Sequence, residues 1–286
     1  MKSKILFICR ERKNSGNNHC YGTGYCRSIG LINSAQFIVN YLNDIDIESK
    51  LSVVVDANSI DRELFLYKPT HVVLEAIWIT PLKIKELLKI KRYENLTWII
   101  RLHSKIPFIA NEGIAFEWIV GYSKLMKTMP NLYLAVNSPE FIDDLKKILN
   151  VRGLYLPNVY YPKDEIIAIL PQIRMYVNFG CFGAIRPMKN QLIQAVAAIE
   201  YGEETNQEIH FHINADRQEL QGDNVYKNLK ALFLGTRHTL IEHPWLSRVE
   251  FLAVIATMDI GLQVSMSETF NIVAADFISK NIPLIG

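Results

Sequence analysis

Short apolar runs alternate with segments of helical periodicity along the whole chain. Compact apolar runs between polar turns predict strands, and apolar residues that recur every three or four positions predict helices. The predicted strands are residues 4–9, 51–55, 71–75, 96–103, 132–136, 154–156, 175–181, 208–213 and 260–264. The predicted helices are residues 32–42, 83–90, 116–126, 139–149, 191–201 and 224–232. Such alternation is typical of βαβ units and predicts parallel sheets.

The alternation is interrupted at residues 160–172, which contain Pro162 and Pro171 and are predicted to form a linker. With 286 residues the chain is long enough for two domains of roughly 100 to 200 residues each. We therefore expect one α/β domain at 1–170 and a second at 171–286. Open parallel sheets bind ligands beyond the carboxyl ends of their strands, so a cleft between the domains is the candidate site.

The last stretch, residues 258–286, is predicted to form a strand, a polar turn, a helix and a strand. Ser265 and Ser267 have side chains that cap helices, so the helix is expected to begin there, with Glu268 at its entrance. Asp276 follows eight residues later, roughly 12 Å away at the helical rise. The two carboxylates would then hold the two ends of a nucleotide-sugar, while the helix N-terminus faces its diphosphate.

A second polar segment, residues 183–190, lies between a predicted strand and a predicted helix. Arg186 and Lys189 are three positions apart in it, so both cations can project from one tight turn. Arginine would bind a diphosphate through its fork and lysine as a point charge. The alternative interpretation is a solvated basic turn.

Composition and charge argue against several classes of protein. Lys and Arg total 31 against 29 Asp and Glu, so a net charge of +2 argues against a nucleic-acid-binding protein. The four cysteines lack metal-binding spacing and are expected to be reduced thiols in a cytoplasmic protein. No apolar stretch approaches the roughly 20 residues of a membrane helix. The lysine-rich helix at 83–90 leaves association with a membrane surface open, although a solvated face is the simpler interpretation.

Residues 183–190, followed by Leu192 and Ala195, resemble the G-R-L-x-x-x-K-G turn and helix of the retaining GT-B glycosyltransferases, which are glycogen-synthase-like sugar transferases. Residues 259–286 resemble the D-x-x-x-x-P-S-x-x-E-x-F-G-x-x-x-x-E-A stretch of that family, with Glu268 and Asp276 on its E-x7-E pair. The resemblance covers almost all of the second half and is looser in the first. It implies two Rossmann-like, doubly wound parallel-sheet domains that face a cleft, with the acceptor side in the first domain and the donor side in the second.

The resemblance also implies roles for individual residues. Lys189 with Arg186, on the turn at Gly183, would bind the donor diphosphate, Glu268 would face the donor sugar and Asp276 would hold the ribose. The segment after Glu268 would present backbone amides to the donor; its residues are Thr269, Phe270, Asn271, Ile272 and Val273.

In the first domain, Gly22 and Gly24 would let a loop approach the diphosphate, since glycine has no Cβ. His103 falls where the family places a histidine near the reacting sugar. The implied reaction moves a sugar from a nucleotide-diphospho-sugar to a sugar, glycan or lipid-linked acceptor with retention of configuration. No protein nucleophile is evident, so the family mechanism would be front-face substitution without a metal or a further cofactor.

Other functions stay open. Ala184 stands where the family has arginine, Asp276 where it has glutamate, and the chain ends at Gly286 where these enzymes continue. These differences favour, as the alternative, a non-catalytic protein that binds a nucleotide-sugar or glycan. An epimerase of the same architecture is a third hypothesis. His210 and His212 lie on one face of a strand and would suit a metal, but no third ligand is apparent.

Overall fold

The computed structural model describes residues 2–13, 25–26, 29–162 and 174–286. These residues belong to two compact units, the first made of the described residues up to 162 and the second of residues 174–286. The predicted boundary at 170 falls outside the described ranges. Gly22 and Gly24 also lie outside them.

The first unit contains a six-stranded parallel sheet and six α-helices. Its strands are β1 (Lys4–Arg10), β2 (Arg12–Lys13), β3 (Tyr25–Cys26), β4 (Glu48–Val54), β5 (His71–Glu75), β6 (Thr97–Leu102), β7 (Leu132–Val136) and β8 (Leu154–Tyr155). Its helices are α1 (Ile29–Asp44), α2 (Ser59–Tyr67), α3 (Pro81–Leu88), α4 (Ile106–Ile109), α5 (Ala115–Met126) and α6 (Pro139–Leu149). The sheet order is β4-β1-β5-β6-β7-β8, and β2 and β3 form a separate antiparallel pair.

Both faces of this sheet are covered. Along β1, Leu6 and Ile8 belong to one core cluster and Phe7 to another, because successive side chains of a strand point to opposite faces. Helix α6 begins as predicted, with Ser138 capping it by accepting from the backbone N–H of Phe141. Helix α3 begins two residues before the predicted start at 83, because Thr80 caps it by accepting from the backbone N–H of Lys83.

The strand order of the first unit reverses between β1 and β5. From β1 the chain runs outward to β4 on one side, and from β5 it runs through β6 and β7 to β8 on the other. In doubly wound sheets such a reversal opens a crevice at the carboxyl ends of the two strands. The ends of β1 and β5 therefore flank this crevice, and β6 ends beside β5 at the same carboxyl edge of the sheet.

The second unit contains a five-stranded parallel sheet and four α-helices. Its strands are β9 (Tyr176–Gly180), β10 (Glu208–Asn214), β11 (Thr239–His243), β12 (Ile260–Leu262) and β13 (Leu284–Ile285). Its helices are α7 (Gln191–Thr205), α8 (Gly222–Phe233), α9 (Arg248–Ile255) and α10 (Ile272–Ser279). The sheet order β11-β10-β9-β12-β13 reverses between β9 and β12. The segments that follow these two strands are the ones that the sequence singled out.

The two faces of the second sheet have separate cores. Apolar side chains of α7 and α8, including Ala195 and Leu229, pack with Phe211 on one face. Side chains of α9 and α10, including Ile255 and Phe277, pack with Phe182 in another cluster.

The structure differs from the predicted elements in several places. Helix α10 begins at Ile272 and is capped by Asn271, whose side chain accepts from the backbone N–H of Ala274, so the helix start predicted at Ser265–Ser267 is wrong. Glu268 therefore lies in the loop before α10, and the helical spacing of 12 Å does not apply. Helix α2 and strand β11 were missed because Phe65 and Leu66 are exposed on α2 and the apolar run of β11 is two residues long.

Within the described ranges, none of the helices has the length and apolar character needed to cross a lipid bilayer.

Candidate functional site

The basic turn, residues 183–190, follows β9 and leads into α7. Gly183 has φ +114°, a conformation that an L side chain rarely adopts, and its N–H donates to Oδ1 of Asn214 at 3.0 Å. A short 3-10 helix, Pro187–Lys189, then ends at Asn190 with φ +56°. The motif that this segment resembles has glycine at that last position, and asparagine is one of the few other residues that adopts the left-handed conformation readily. Asn190 can therefore end the turn with this backbone conformation.

The Glu268 loop, residues 263–271, follows β12 on the other side of the strand-order reversal. The backbone N–H of Val264 donates to Oε1 of Gln194 on α7 at 2.9 Å, and that of Met266 donates to the carbonyl of Met188 at 2.9 Å. Gln263 donates to the carbonyl of Phe182 at 3.1 Å. These bonds join the loop to the basic turn and to the helix that follows it.

Side chains of the two segments also meet. Lys189 forms an ion pair with Glu268, and these side chains are 11% and 26% exposed. The pair joins residues 79 positions apart in the sequence. Because both residues follow the strands that flank the reversal in strand order, a cation and a carboxylate stand side by side where ligands bind in doubly wound sheets.

Arg186 lies in a second charged cluster at the same edge. Its guanidinium is 3.4 Å from Oε2 of Glu219, while the other oxygen of Glu219 accepts from Arg217 at 2.5 Å. Arg217 in turn stacks on the ring of Trp245, 4.7 Å from its centroid. Glu219 therefore holds two arginines. Glu219, Arg217 and Trp245 are not among the site residues predicted from the sequence.

Asp276 is completely buried on α10. Its two carboxylate oxygens accept hydrogen bonds from Arg248, the first residue of α9, at 2.7 and 3.0 Å. This bidentate arrangement is the strong form of an Arg–carboxylate pair. The ribose contact predicted for Asp276 stays a prediction, and a ribose would share this carboxylate with Arg248.

In the first unit, His103 stands one residue beyond the end of β6. Its Nε2 contacts the carboxylate of Glu75, the last residue of β5. Arg101 donates to the same carboxylate at 3.1 and 3.2 Å. It also donates to the carbonyls of Leu156 and Pro157 and, at 2.7 Å, to Oδ1 of Asn158. These linked side chains form the Glu75 cluster, which consists of Glu75, Arg101, His103 and Asn158.

The charge of Glu75 is retained despite its complete burial. Burial alone would raise the pKa of this carboxyl, but Arg101 and His103 together hold the pKa below its usual range. The thiol of Cys9 lies near this carboxylate, and burial together with the charge of Glu75 raises its pKa, so the thiol stays protonated. Glu75 and Arg101 were not identified from the sequence, although two charged residues at the ends of apolar strands are a signal that could have identified them.

Two histidines at the carboxyl edge of the second sheet form another polar pair. Nδ1 of His212 lies 2.8 Å from Nε2 of His243, and Nε2 of His212 lies 3.1 Å from Oδ1 of Asn178. Burial lowers the pKa of His212 to about 3 and also lowers that of His243. His210 instead stacks on Tyr176 and contacts Glu208. Among the described residues, no three His, Cys, Asp or Glu side chains are grouped so that they could hold a metal ion.

The structure thus brings together some of the predicted site residues and separates others. Gly183, Lys189 and Glu268 meet at the reversal of the second sheet, and Arg186 lies in the same turn. Thr269, Phe270 and Asn271 are in the Glu268 loop, and Ile272 is the first residue of α10. The side chain of Asn271 caps α10 and also donates a 2.9 Å hydrogen bond to Oε1 of Gln263.

Comparison with known proteins supports the fold. Neither a protein-family model nor the sequence of a curated protein matches this chain. Among solved structures, the chain is similar to sucrose-phosphate synthase from Thermosynechococcus elongatus, with 12% identity and a TM-score of 0.64 over 99% of this chain and 80% of that one. It is also similar to UDP-GlcNAc 2-epimerase from Methanocaldococcus jannaschii, with 12% identity, a TM-score of 0.53 and coverage of 98% and 82%.

A third similar structure is a glycosyltransferase from Rickettsia africae, with 12% identity, a TM-score of 0.52 and coverage of 99% and 78%. At these identities the likeness shows the fold alone. The chain has the GT-B fold, with two Rossmann-like α/β units built on parallel sheets, and this confirms the predicted fold class.

Proposed function

We propose that this chain is a glycosyltransferase that moves a sugar from a nucleotide-diphospho-sugar to an acceptor with retention of configuration. The observation that carries the proposal is the meeting of Lys189 and Glu268 where the strand order of the second sheet reverses. A diphosphate needs a cation, a sugar needs hydrogen-bond acceptors for its hydroxyls, and this edge offers both side by side. The donor would bind to the second unit and the acceptor, a sugar, glycan or lipid-linked sugar, to the first.

The proposed mechanism follows from where charge develops. As the glycosidic bond breaks, negative charge accumulates on the leaving diphosphate, so Lys189 and Arg186 would stabilise the transition state more than the ground state. Glu268 would accept hydrogen bonds from the sugar hydroxyls and so orient the anomeric carbon. We propose front-face substitution, in which the departing phosphate accepts the proton of the acceptor hydroxyl, and this route needs no metal or cofactor.

The remaining roles are part of the same proposal. The backbone N–H groups after Glu268, together with the N-terminus of α10, would face the diphosphate. Asp276 would act at the ribose together with Arg248, which holds its carboxylate. Gly22 and Gly24, outside the described residues, would belong to a loop close to the diphosphate. His103 would contact the reacting sugar from the first unit.

The test is release of nucleoside diphosphate from a panel of nucleotide-sugars by the purified protein, with and without sugar and lipid-linked acceptors. Lys189→Ala should lower turnover roughly 10- to 100-fold, since a hydrogen bond to a charged group contributes about 1.5 to 3 kcal/mol. Glu268→Ala should lower turnover as well. Lys227→Ala is the matched control, because that lysine is 76% exposed on α8 and its removal should leave turnover unchanged.

Turnover that survives both the Lys189 and the Glu268 substitutions would refute this site. The anomeric configuration of the product, read by NMR, tests retention separately from transfer.

A second candidate function is a non-catalytic protein that binds a nucleotide-sugar or glycan. The burial of Asp276 in its pair with Arg248 favours it, because that carboxylate is already used inside the protein. Calorimetry distinguishes the two functions: a binder would take up a nucleotide-sugar and never turn it over with any acceptor.

An epimerase is a third candidate, favoured by the similarity to UDP-GlcNAc 2-epimerase. Formation of the epimeric sugar, free or still attached to the nucleotide, with no new glycosidic bond would support it.

A further inference from the structure

The Glu75 cluster contains more charge than the proposed transfer reaction uses. Glu75 and Arg101 are paired residues on the neighbouring strands β5 and β6, and both side chains are completely buried. A buried charge is costly unless it is paired and hydrogen-bonded, and a well-packed apolar pair would often be as stable. The arrangement therefore suggests a task other than stability.

Hydrogen bonds to the segment after β8 hold the Glu75 cluster in place. Three of the hydrogen bonds of Arg101 go to the segment that follows β8, where it meets two backbone carbonyls and the side chain of Asn158. This clamp holds the guanidinium in one orientation, and its two bonds to Glu75 then hold the carboxylate. Glu75 thus presents its Oε2 in a set direction.

That oxygen contacts Nε2 of His103. Of the three side chains Glu75, Arg101 and His103, only that of His103 has exposed surface, 17% against 0% for the other two. A substrate at this edge would therefore meet the imidazole, and the charge of Glu75 would reach it only through the ring.

We infer that Glu75 is a positioning residue for His103: its carboxylate accepts a hydrogen bond from Nε2–H, fixes the ring plane and directs Nδ1 to the substrate. An ionised carboxylate can only accept, so the proton of the ring stays on Nε2. The tautomer of a histidine is set by the bond that its other nitrogen makes. The inference rests on the proposed function, because it assigns the atom through which His103 would act on the sugar.

The lowered pKa of Glu75 is consistent with this geometry, since the charge of Arg101 and the hydrogen bond from His103 keep the carboxyl ionised against the effect of burial. Arg101 thus has two effects: it balances the buried charge and aligns the carboxylate. In this arrangement Glu75 touches neither substrate nor reacting atoms.

The experiment combines kinetics with NMR of the full chain labelled with 15N-histidine. Glu75→Gln removes the negative charge but leaves the charge of Arg101 buried without its counter-charge, which could destabilise the fold. Glu75→Leu/Arg101→Met avoids this, because it replaces the whole ion pair with apolar side chains. Two-bond 1H–15N spectra report the protonated nitrogen of each ring. His71, whose Nδ1 lies 2.9 Å from the hydroxyl of Thr70 at the other end of β5, is the internal control.

We expect the ring of His103 to carry its proton on Nε2 in the wild-type protein, and to become a mixture of tautomers in the Glu75→Leu/Arg101→Met variant while His71 is unchanged. Either variant should lower kcat by about tenfold with KM nearly constant. Adding His103→Ala to Glu75→Gln should lower kcat no further than His103→Ala alone, because coupled residues are not additive.

Two results would overturn the inference: unchanged His103 signals in the Glu75→Leu/Arg101→Met variant, or an equal loss of kcat from Glu75→Gln with and without His103. If the wild-type protein turns over no nucleotide-sugar, the proposed function fails. The NMR signals of His103 then decide the inference alone, since a changed tautomer supports it and an unchanged one refutes it.

Discussion

Acidification should destabilise the second unit through His212. This side chain is 9% exposed on β10, and its two ring nitrogens lie against His243 and Asn178. Burial first, and then the neighbouring His243, His210 and Arg174, lower its pKa to about 3. In the unfolded chain the pKa of a histidine is about 6.5, so between these two values the unfolded state binds a proton that the folded state does not.

The sign and size of the effect follow from this difference. The free energy of unfolding is unaffected by His212 above pH 6.5 and falls as the pH decreases from 6.5 towards 3. At pH 5 the unfolded imidazole is protonated about 30 to 1, which corresponds to a loss of about 2 kcal/mol relative to pH 7. Carboxylates such as Glu75 contribute mainly below their unfolded pKa of about 4.3, so pH 5 separates the two effects.

Native-state hydrogen exchange of peptides that cover β10 is the appropriate assay, because the two units of the chain need not unfold together. Exchange at pH 7, 6 and 5, corrected for the intrinsic rate, gives the opening free energy of this strand. The variant His212→Gln has no titrating imidazole at this position. Its opening free energy should therefore decrease between pH 7 and pH 5 by about 2 kcal/mol less than that of the wild-type protein. His210→Gln, on the same strand, removes only a minor contribution to the lowered pKa of His212 and should leave most of the decrease in place. An equal decrease in the wild-type protein and in His212→Gln would refute the reasoning.

Two further predictions concern the second unit. In Gly222→Ala the new Cβ would overlap a backbone carbonyl of the basic turn, so we expect a loss of about 1 to 3 kcal/mol in urea unfolding and weaker nucleotide binding. Gly113→Ala, whose new Cβ would have no atom within 4 Å, should change stability by less than about 0.5 kcal/mol, and an equal effect of both variants would contradict this expectation. Asp276→Asn leaves the guanidinium of Arg248 without its anion and should cost about 3 to 5 kcal/mol, whereas Asp276→Leu/Arg248→Met should recover most of this loss. A double variant as unstable as Asp276→Asn would show that the pair itself stabilises α10.

Local patterns were sufficient where a segment is determined by its own residues. Strands 71–75 and 132–136 and helix 139–149 were predicted with the bounds that the structure shows. The strands are buried apolar runs, and the helix starts at Pro139, directly after Ser138, whose side chain caps it. Both signals lie within the segment itself: a strand that is buried on both faces is a continuous apolar run, and a capping residue stands directly before its helix.

Local patterns failed where neighbours compete for the same groups. Ser265 and Ser267 have the composition of a helix start, yet the backbone around them bonds to Gln194 and Met188, and the helix is capped at Asn271 instead. These partners are distant in sequence, so no local window contains them.

The sequence by itself determined two parallel-sheet α/β units and the residue types of the candidate donor site, because hydrophobic periodicity and turn chemistry are local. The tertiary structure alone decided which charges meet. It paired Lys189 with Glu268, Asp276 with Arg248, and Glu75 with both Arg101 and His103. Parallel strands end at one edge of a sheet, so the strand order determines which distant side chains become neighbours. A buried charge then takes the nearest partner that compensates it.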